Sequence, residues 1–510
     1  MLKKSLSVRQ ETPLTATLID WLVDEFNRKK IIYSHWKSNI DLAHALAGRT
    51  DLDLLIDRKS LLQALTALSH LGFKKAVPRR GVNPPGIYHY YGLDPDTKQL
   101  IHVHLFSRVL TGESYVKSHL FPFEAMLLEN VYYSDQIRVT SKSAELVLFT
   151  LRMFIKYGSL LDLISLRRKS EKVEAEIRWL QDGGDLSDAL SLLKKHCPVI
   201  EEKLFIKCVE TLNSDSSLIR RMILARLVRR RLKVYAKFTF FRRLLAYMQL
   251  LWVEVLRRLG TKQKNKVLQD GGTVIAFAGA DATGKSTLVA ETGHWLGDTF
   301  AVKIIHTGKP PSVWLTAPVN ITLQLVRRLI SLQRVGGLKR QHSPNDSNPS
   351  KHKLEGLSSL PHALRAVTLA WDRQRLILKA RRLVAEGEII ICDRYPSRII
   401  GAMDSPRLEE EPLETGLVAS IYNRLARLEK RLYRQIPPAD IILKLKVSLE
   451  IAKKRNLDRN KQDGEAYLEA RHRQCRKWHM PGTRYVYDIN TEQNLEETLC
   501  DVKKAIWESL

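Results

Sequence analysis

Cysteine is scarce and scattered in this chain: Cys197, Cys208, Cys392, Cys475 and Cys500 are the five in 510 residues. None forms a Cys-x-x-Cys pair, and no histidine cluster stands at metal-ligand spacing. A disulfide framework or a structural zinc site is therefore not expected, and the usage fits a reducing cytoplasm. Long apolar runs are missing as well. No stretch reaches the roughly 18 residues that read as a membrane-spanning helix. Residues 1–17 are polar where a secretion signal would carry an apolar core. The expectation is a cytoplasmic protein, at most peripheral to a membrane or to nucleic acid. No internal repeat is visible.

Acidic residues are also short, 55 Asp and Glu against 83 Lys and Arg, which leaves a net charge of +28. The excess is uneven. Residues 220–266 hold fifteen Lys and Arg and a single acid, Glu254, and so carry half of the whole imbalance. Such a segment reads as a surface for a polyanion, either nucleic acid or an anionic membrane, or as a solvated helix face running into a basic linker. Inside it, residues 244–256 are mostly apolar between Arg242-Arg243 and Arg257-Arg258. Thirteen residues are too few to span a bilayer. A core helix is expected there, with an interfacial helix as the alternative.

A chain of this length exceeds one core, so two or three domains are expected. Residues 1–140 mix short β-like runs at 31–33, 52–56 and 100–105 with helical patterns, an α+β or α/β region. Residues 141–260 read as helical, broken at Asp182-Gly183-Gly184-Asp185. Residues 261–272 read as a linker. Residues 273–510 alternate strands (274–278, 302–306, 389–392, 441–445 and 485–489) with helices, which implies a parallel sheet wrapped by helices. Residues 339–353, rich in Pro, Ser and Asn, read as a mobile insertion in that domain. The fold class expected is multidomain α/β, with a C-terminal P-loop domain.

The chemistry is concentrated in the sequence Gly279-Ala280-Asp281-Ala282-Thr283-Gly284-Lys285-Ser286-Thr287. It follows an apolar strand, opens a helix and fits G-x-x-x-x-G-K-[ST] at every fixed position. Gly279 and Gly284 let the backbone curl so that its N–H groups face a polyphosphate. Lys285 supplies charge to the terminal phosphates of ATP, the Ser286 hydroxyl can ligate Mg²⁺, and the helix adds its N-terminal dipole. Downstream, the apolar run 389–392 ends in Asp393-Arg394-Tyr395. A carboxylate at that strand tip can hold Mg²⁺ through water or orient an acceptor, and Arg394 can neutralise a phosphate. Trp371-Asp372-Arg373 sits on a helix that would face the same cleft.

These motifs together resemble the thymidylate kinase family over residues 271–510. The resemblance implies that the loop 279–287, with Ala282, Thr283 and Thr287, holds the donor nucleotide and that Asp281 reaches the sugar of an acceptor nucleotide. It assigns Arg394, in the Asp-Arg-Tyr motif with Tyr395, to the acceptor phosphate, and Arg373 likewise. It places a basic lid after the fourth strand, with Lys453, Lys454, Arg455 and Arg459, whose arginines would stabilise the transferred phosphoryl group. His306-Thr307-Gly308-Lys309-Pro310 stands where the family has its acceptor loop, without that loop's arginine.

Near the N-terminus, Gly48-Arg49-Thr50-Asp51-Leu52-Asp53 puts Asp51 and Asp53 on one face of a strand, as two Mg²⁺ ligands for nucleotidyl transfer would stand. The segment resembles the nucleotidyltransferase fold. In that fold a third carboxylate lies on a later strand, where this chain has His102 and His104. A site short of one hard oxygen ligand is expected to bind Mg²⁺ poorly. Either a histidine substitutes or the domain binds without catalysing. Lys37 and Ser38 stand where the fold holds substrate phosphate.

The function expected is an ATP-dependent phosphotransferase with Mg²⁺, passing the γ-phosphoryl group to a nucleoside monophosphate or related acceptor. Its catalytic residues would be Lys285, Asp393, Arg394 and Asp281. The alternatives are an ATP-gated protein that binds nucleic acid or a membrane through 220–266, and a polynucleotide 5′ kinase. A homodimer is a further expectation.

Overall fold

The computed structural model describes residues 15–79, 83–112, 117–156, 170–213, 218–239, 242, 245, 248, 266–308, 310–311, 349–410, 417–458 and 465–510. The chain divides into two compact units, Met1–Lys264 and Asn265–Leu510.

Unit 1 is built on a mixed sheet. Its strands are β1 (Tyr33–His35), β2 (Leu52–Ile56), β3 (Lys74–Pro78), β4 (Ile87–Leu93), β5 (Leu100–Phe106), β8 (Val131–Ser134) and β9 (Ile137–Thr140). They run in the order β3-β4-β5-β2-β1-β9-β8. Between them β6 (Val109–Thr111) and β7 (His119–Phe121) form a separate antiparallel pair. The first strand begins two residues later than the apolar run 31–33 suggests. Lys30 takes a positive φ of 53° and the Ile31 N–H donates to Phe26 O, so Ile31 closes the preceding helix before sheet pairing starts.

Alternation in β2 and β5 sorts side chains between two cores, because successive residues of a strand face opposite sides. Leu52, Leu54, Ile56, Ile101, Val103 and Leu105 join the helices Thr17–Arg28 and Leu61–His70 in one core. Leu55 and Phe106 point the other way, into a core shared with helices Lys142–Lys156, Ser170–Gln181, Leu186–His196, Glu202–Asn213 and Leu218–Arg231. The helices beyond residue 141 thus share a core with the sheet. Lys142–Lys156 is buried almost all round, as expected for a helix apolar on every face. Asp185 closes the break at 182–185: its side chain accepts from the Ser187 N–H at 2.8 Å and caps Leu186–His196.

Unit 2 has a parallel sheet of β11 (Thr273–Gly279), β12 (Val302–His306), β13 (Ile389–Asp393), β14 (Ile441–Lys446) and β15 (Tyr485–Asn490). The order is β12-β13-β11-β14-β15. The central β11 is buried along its whole length, and its neighbours β13 and β14 lie on opposite sides. That arrangement opens a crevice at the carboxyl end of β11, where open α/β sheets place ligands. Lys266–Leu268, expected as linker, is a short strand, β10. Its Val267 and Leu268 are buried apolar residues, and Lys266 and Leu268 bond to Thr299 O and Gly387 O. Residues 261–265 lie outside the described residues. At Gly272 the chain passes so close to Glu388 that a Cβ would lie 1.8 Å from its carbonyl oxygen, which requires glycine.

Residues 349–353, expected to belong to a mobile insertion, open the long helix Pro349–Ala385. Proline suits the first helical position, where its missing N–H has no intrahelical partner to lose. Residues 339–348 lie outside the described residues.

One buried group in unit 1 carries a pH consequence. Asn39 Nδ2 donates to Glu145 Oε2 at 2.7 Å beneath the sheet, and His35 Nδ1 meets the Asn39 oxygen. Burial, with the charge of Glu176 nearby, pushes the Glu145 carboxyl from 4.5 up to about 7. The folded state then keeps a proton that the unfolded chain releases, so this group's contribution to stability falls as pH rises from 4.5 through 7. Glu145→Gln keeps the acceptor for Asn39 and removes the titration. Urea unfolding across this range should show the variant gaining on the wild type as pH rises, by about 1–3 kcal/mol at neutrality. Parallel profiles would refute the assignment.

Candidate active site

Between β11 and the helix Lys285–Gly297 the chain turns through Ala282 at φ 64° and Gly284 at φ 83°. Gly284 carries that conformation without the steric cost a side chain would add. The turn folds back over Lys285, which is only 7% exposed. Its Nζ donates to Gly279 O at 2.9 Å and also to Ala280 O, with Thr283 Oγ1 at 3.5 Å. Thr283 Oγ1 in turn donates to Ala280 O at 2.9 Å. Burial, reinforced by the Arg394 charge, pushes the Lys285 ammonium down to about 8. Ser286 and Thr287 stand exposed in the first turn of the helix.

The tips of β12 and β13 meet beside this loop. Asp393 pairs in register with Phe277 of β11 and with His306 of β12. His306 Nδ1 lies 3.0 Å from Asp393 Oδ2, while the buried Asp393 Oδ1 has no hydrogen-bond donor among the described residues. A buried carboxylate oxygen without a donor suits a bound cation. Asp393, with the Ser286 hydroxyl at the start of the helix, could therefore hold a Mg²⁺ that would neutralise phosphate oxygens. No described group of three or more His, Cys, Asp and Glu residues is placed to hold a metal by itself.

Arginines converge on the loop from three segments. Arg394, at φ 73°, reaches Asp281 Oδ1 at 3.2 Å and Asp404 Oδ2 at 3.6 Å. Arg471, on helix Glu465–Arg476, reaches Asp281 Oδ2 at 3.2 Å. Arg373 is 1% exposed. Its Nε donates to Thr307 O at 2.9 Å, one terminal nitrogen meets Tyr433 Oη, and the other lies 3.0 Å from Asp404 Oδ1. Burial works against ionisation of Asp281, but the charges of Lys285, Arg471 and Arg394 outweigh it and hold the carboxyl below its ordinary value. The three arginines face a cleft of about 620 Å³ whose lining also includes Asp404, Arg407 and Glu409.

Two residues expected at this site are placed elsewhere. Tyr395 is buried, its hydroxyl donating to Pro437 O at 2.7 Å and its carbonyl accepting from Trp478 Nε1 at 3.0 Å. Those bonds anchor the loop after β13 to the core. Arg455 donates to Thr491 O at 2.6 Å, which ties it to the end of β15. Arg459 and Lys309 lie outside the described residues. Arg471 and Asp404 are the residues that sequence reading missed. Arg471 lies in a helix with several other arginines, and no spacing distinguishes it. Asp404 sits in an irregular loop at φ 57°.

In unit 1, Asp53 Oδ1 lies 2.8 Å from Lys37 Nζ and 3.1 Å from His104 Nδ1, and Asp51 lies 2.7 Å from His102 Nδ1. Asp53 and His104 are register partners on the parallel strands β2 and β5. His104 also stacks on His89, with ring centres 4.4 Å apart. Burial opposes the charge on Asp53, but Lys37 and His104 outweigh it and hold the carboxyl well below its ordinary value. Burial pushes His104 down to about 4. Lys37 lies over the Trp36 and Phe106 rings, turned toward Asp53. Ser38 holds a left-handed conformation at φ 58°. The Lys37 ammonium stands against Asp53 where a cation would sit, and no described trio of His, Cys, Asp and Glu gathers here to hold a metal, so this arrangement does not fit a Mg²⁺ site.

The basic stretch begins on helix Leu218–Arg231. There Arg229 donates to Ile155 O at 2.6 Å and Arg231 pairs with Glu201 at 2.6 Å, while Arg226 and Arg230 are exposed. Leu245 and Met248, expected in a core helix, are exposed. The rest of 244–256 lies outside the described residues.

No protein-family model matches the chain, and no curated protein matches it. Among solved structures, a deoxyadenosine kinase from M. mycoides with bound dATP is similar, at 16% identity and a TM-score of 0.25. The match covers 46% of this chain and 98% of that one.

The Lys285 environment sets a pH dependence for polyphosphate binding. Below about pH 8 the lysine is already charged in the empty loop. Above it, binding must first restore the proton, so affinity should fall toward a limit of about tenfold per pH unit. Calorimetric titration with a non-hydrolysable ATP analogue and Mg²⁺ should show this fall in the wild type. Lys285→Ala should bind weakly at every pH without it. An affinity flat across pH 8 in the wild type would contradict the reading.

Proposed function

We propose that unit 2 is an ATP-dependent phosphotransferase acting on an acceptor that itself bears phosphate, a nucleoside monophosphate or a related molecule. The observation that carries this reading is the convergence of Arg373, Arg394 and Arg471 on one cleft beside the Lys285 loop. A loop of this type alone serves many ATP-driven machines. Arginines gathered across from it suit a second anionic substrate and the charge that develops on a transferred phosphoryl group.

In this reading the loop amides and Lys285 hold the donor phosphates. Asp393, through its undonated oxygen, and Ser286 hold Mg²⁺, which supplies neutralisation of the β- and γ-phosphate oxygens when bound. Arg373 and Arg394 take the acceptor phosphate and Asp281 orients both Arg394 and Arg471. Because Arg373 is fixed by Thr307, Tyr433 and Asp404, its guanidinium is already oriented before any acceptor arrives, which lowers the entropic cost of binding. The likeness to a deoxyadenosine kinase is too slight to choose the acceptor.

Coupled measurement of ADP release over a panel of nucleoside monophosphates, with oligonucleotides bearing a 5′ hydroxyl as a separate arm, tests the proposal. Acceptor-dependent turnover is expected with a mononucleotide or related phosphate. Lys285→Ala should lower kcat by roughly 10²-fold or more. Arg394→Ala should raise the acceptor KM more than the ATP KM. Turnover with oligonucleotides alone would replace the acceptor class with polynucleotide ends. No acceptor-dependent turnover, together with no change in Lys285→Ala, would sink the proposal.

A further inference from the structure

The helix Leu218–Arg231 has apolar residues on two faces. Leu224, Ala225 and Val228 are buried against unit 1's helical core. Ile219, Ile223 and Leu227 are 70%, 54% and 44% exposed. They are spaced four residues apart, so they stack as one stripe along the outer face. Arg226 and Arg230, each three residues beyond Ile223 and Leu227, lie on the edge of the same stripe and are exposed. Arg220 and Arg231 are about half exposed and reach Glu210 and Glu201 of a neighbouring helix and its entry. The helix contains no acidic residue. Val234 in the following turn is 70% exposed, and Leu245 and Met248 further on are exposed as well.

An exposed arginine face alone would suit any polyanion. The apolar stripe within it discriminates. Nucleic acid offers phosphates to arginines but no apolar medium for three aliphatic side chains along a helix axis. An anionic bilayer offers both, with headgroup charge at the level of the arginine ends and acyl chains below. No described helix is long and apolar enough to cross a membrane, so the contact would be interfacial.

We propose that the outer face of Leu218–Arg231 docks unit 1 on an anionic lipid surface, with Ile219, Ile223 and Leu227 entering the interface and Arg226 and Arg230 pairing with headgroup phosphates. The proposal is independent of the phosphotransfer reading, because none of these residues belongs to the loop or cleft of unit 2.

Flotation of the full chain with vesicles tests it. One set is phosphatidylcholine alone and the other is phosphatidylcholine with one quarter phosphatidylglycerol. The chain should float with the anionic set and stay behind with the neutral one. Ile223→Asp combined with Leu227→Asp should reduce flotation roughly tenfold or more, as should Arg226→Glu with Arg230→Glu. Both pairs are exposed, so circular dichroism and ATP-analogue binding should match the wild type. Equal flotation with both vesicle sets, or flotation unchanged by either pair of substitutions, overturns the proposal. So does salt-sensitive binding to duplex DNA that survives the aspartate pair while vesicles are ignored. A dimer in sedimentation that the aspartate pair dissociates would assign the stripe to a second copy of the chain and also overturn it.

Discussion

The cleft of unit 2 is organised by a chain of alternating charges, Arg471, Asp281, Arg394, Asp404 and Arg373. Each member comes from a different element: a late helix, the phosphate-loop turn, the tip of β13, the loop after it and the long helix Pro349–Ala385. The segments that carry these five residues are thereby tied to one another through paired charges. The set holds three cations against two anions, and Lys285 adds a fourth cation behind them. Such an imbalance is costly in a half-buried cleft and is relieved when an anion enters. Asp404 occupies part of the space between Arg373 and Arg394 in the meantime, keeping the buried Arg373 paired.

Much of the framework was legible in the sequence because it rests on strong local signals. The strand candidates at 302–306 and 52–56 are the strands observed over the same residues. The runs at 274–278, 389–392, 441–445 and 485–489 lie inside β11, β13, β14 and β15. The central strands β11 and β13 are buried and so must be apolar on both faces, which announces them. The glycine–lysine loop did so too, since its positive φ at Gly284 and the position of Lys285 follow from the backbone path. What escaped the sequence depends on tertiary closure. Arg455 and Arg471 are similar arginines on successive helices, and only the packing of those helices decides that one caps Thr491 while the other meets Asp281. Tyr395 follows two cleft residues, yet its side chain turns into the core. The polar composition of 349–353 suggested a loop, where the chain in fact starts a helix at a proline.

The N-terminal carboxylates show the same limit from another side. Strand alternation does put Asp53 and His104 on one face, next to each other across β2 and β5. Spacing could not reveal that Lys37 would fold over Trp36 and Phe106 to claim the same oxygen. A carboxylate held by an ammonium and an imidazole has little left for a divalent cation. The pattern that reads as a metal site is, in three dimensions, a pair of carboxylates set against Lys37, His102 and His104.

This contrast gives a physical criterion for telling the two units' sites apart. In unit 1, Asp51 and Asp53 both have cationic or imidazole partners, and His104 is held neutral by burial. In unit 2 the accounts are open. Lys285 is buried beside the Arg394 charge, which is why its proton is held loosely. Asp393 meets His306 through one oxygen but pairs with no lysine, and its other, buried oxygen has no donor, among the described residues. Folding alone gains nothing from an under-compensated cation at a helix start and an undonated anion at a strand tip, since either could be paired or replaced. One kind of ligand, a polyphosphate carrying a divalent cation, would relieve both, its phosphate oxygens completing Lys285 and its cation completing Asp393. Perturbed charges gathered in a cleft mark functional sites for this reason: the missing compensation is supplied by what binds.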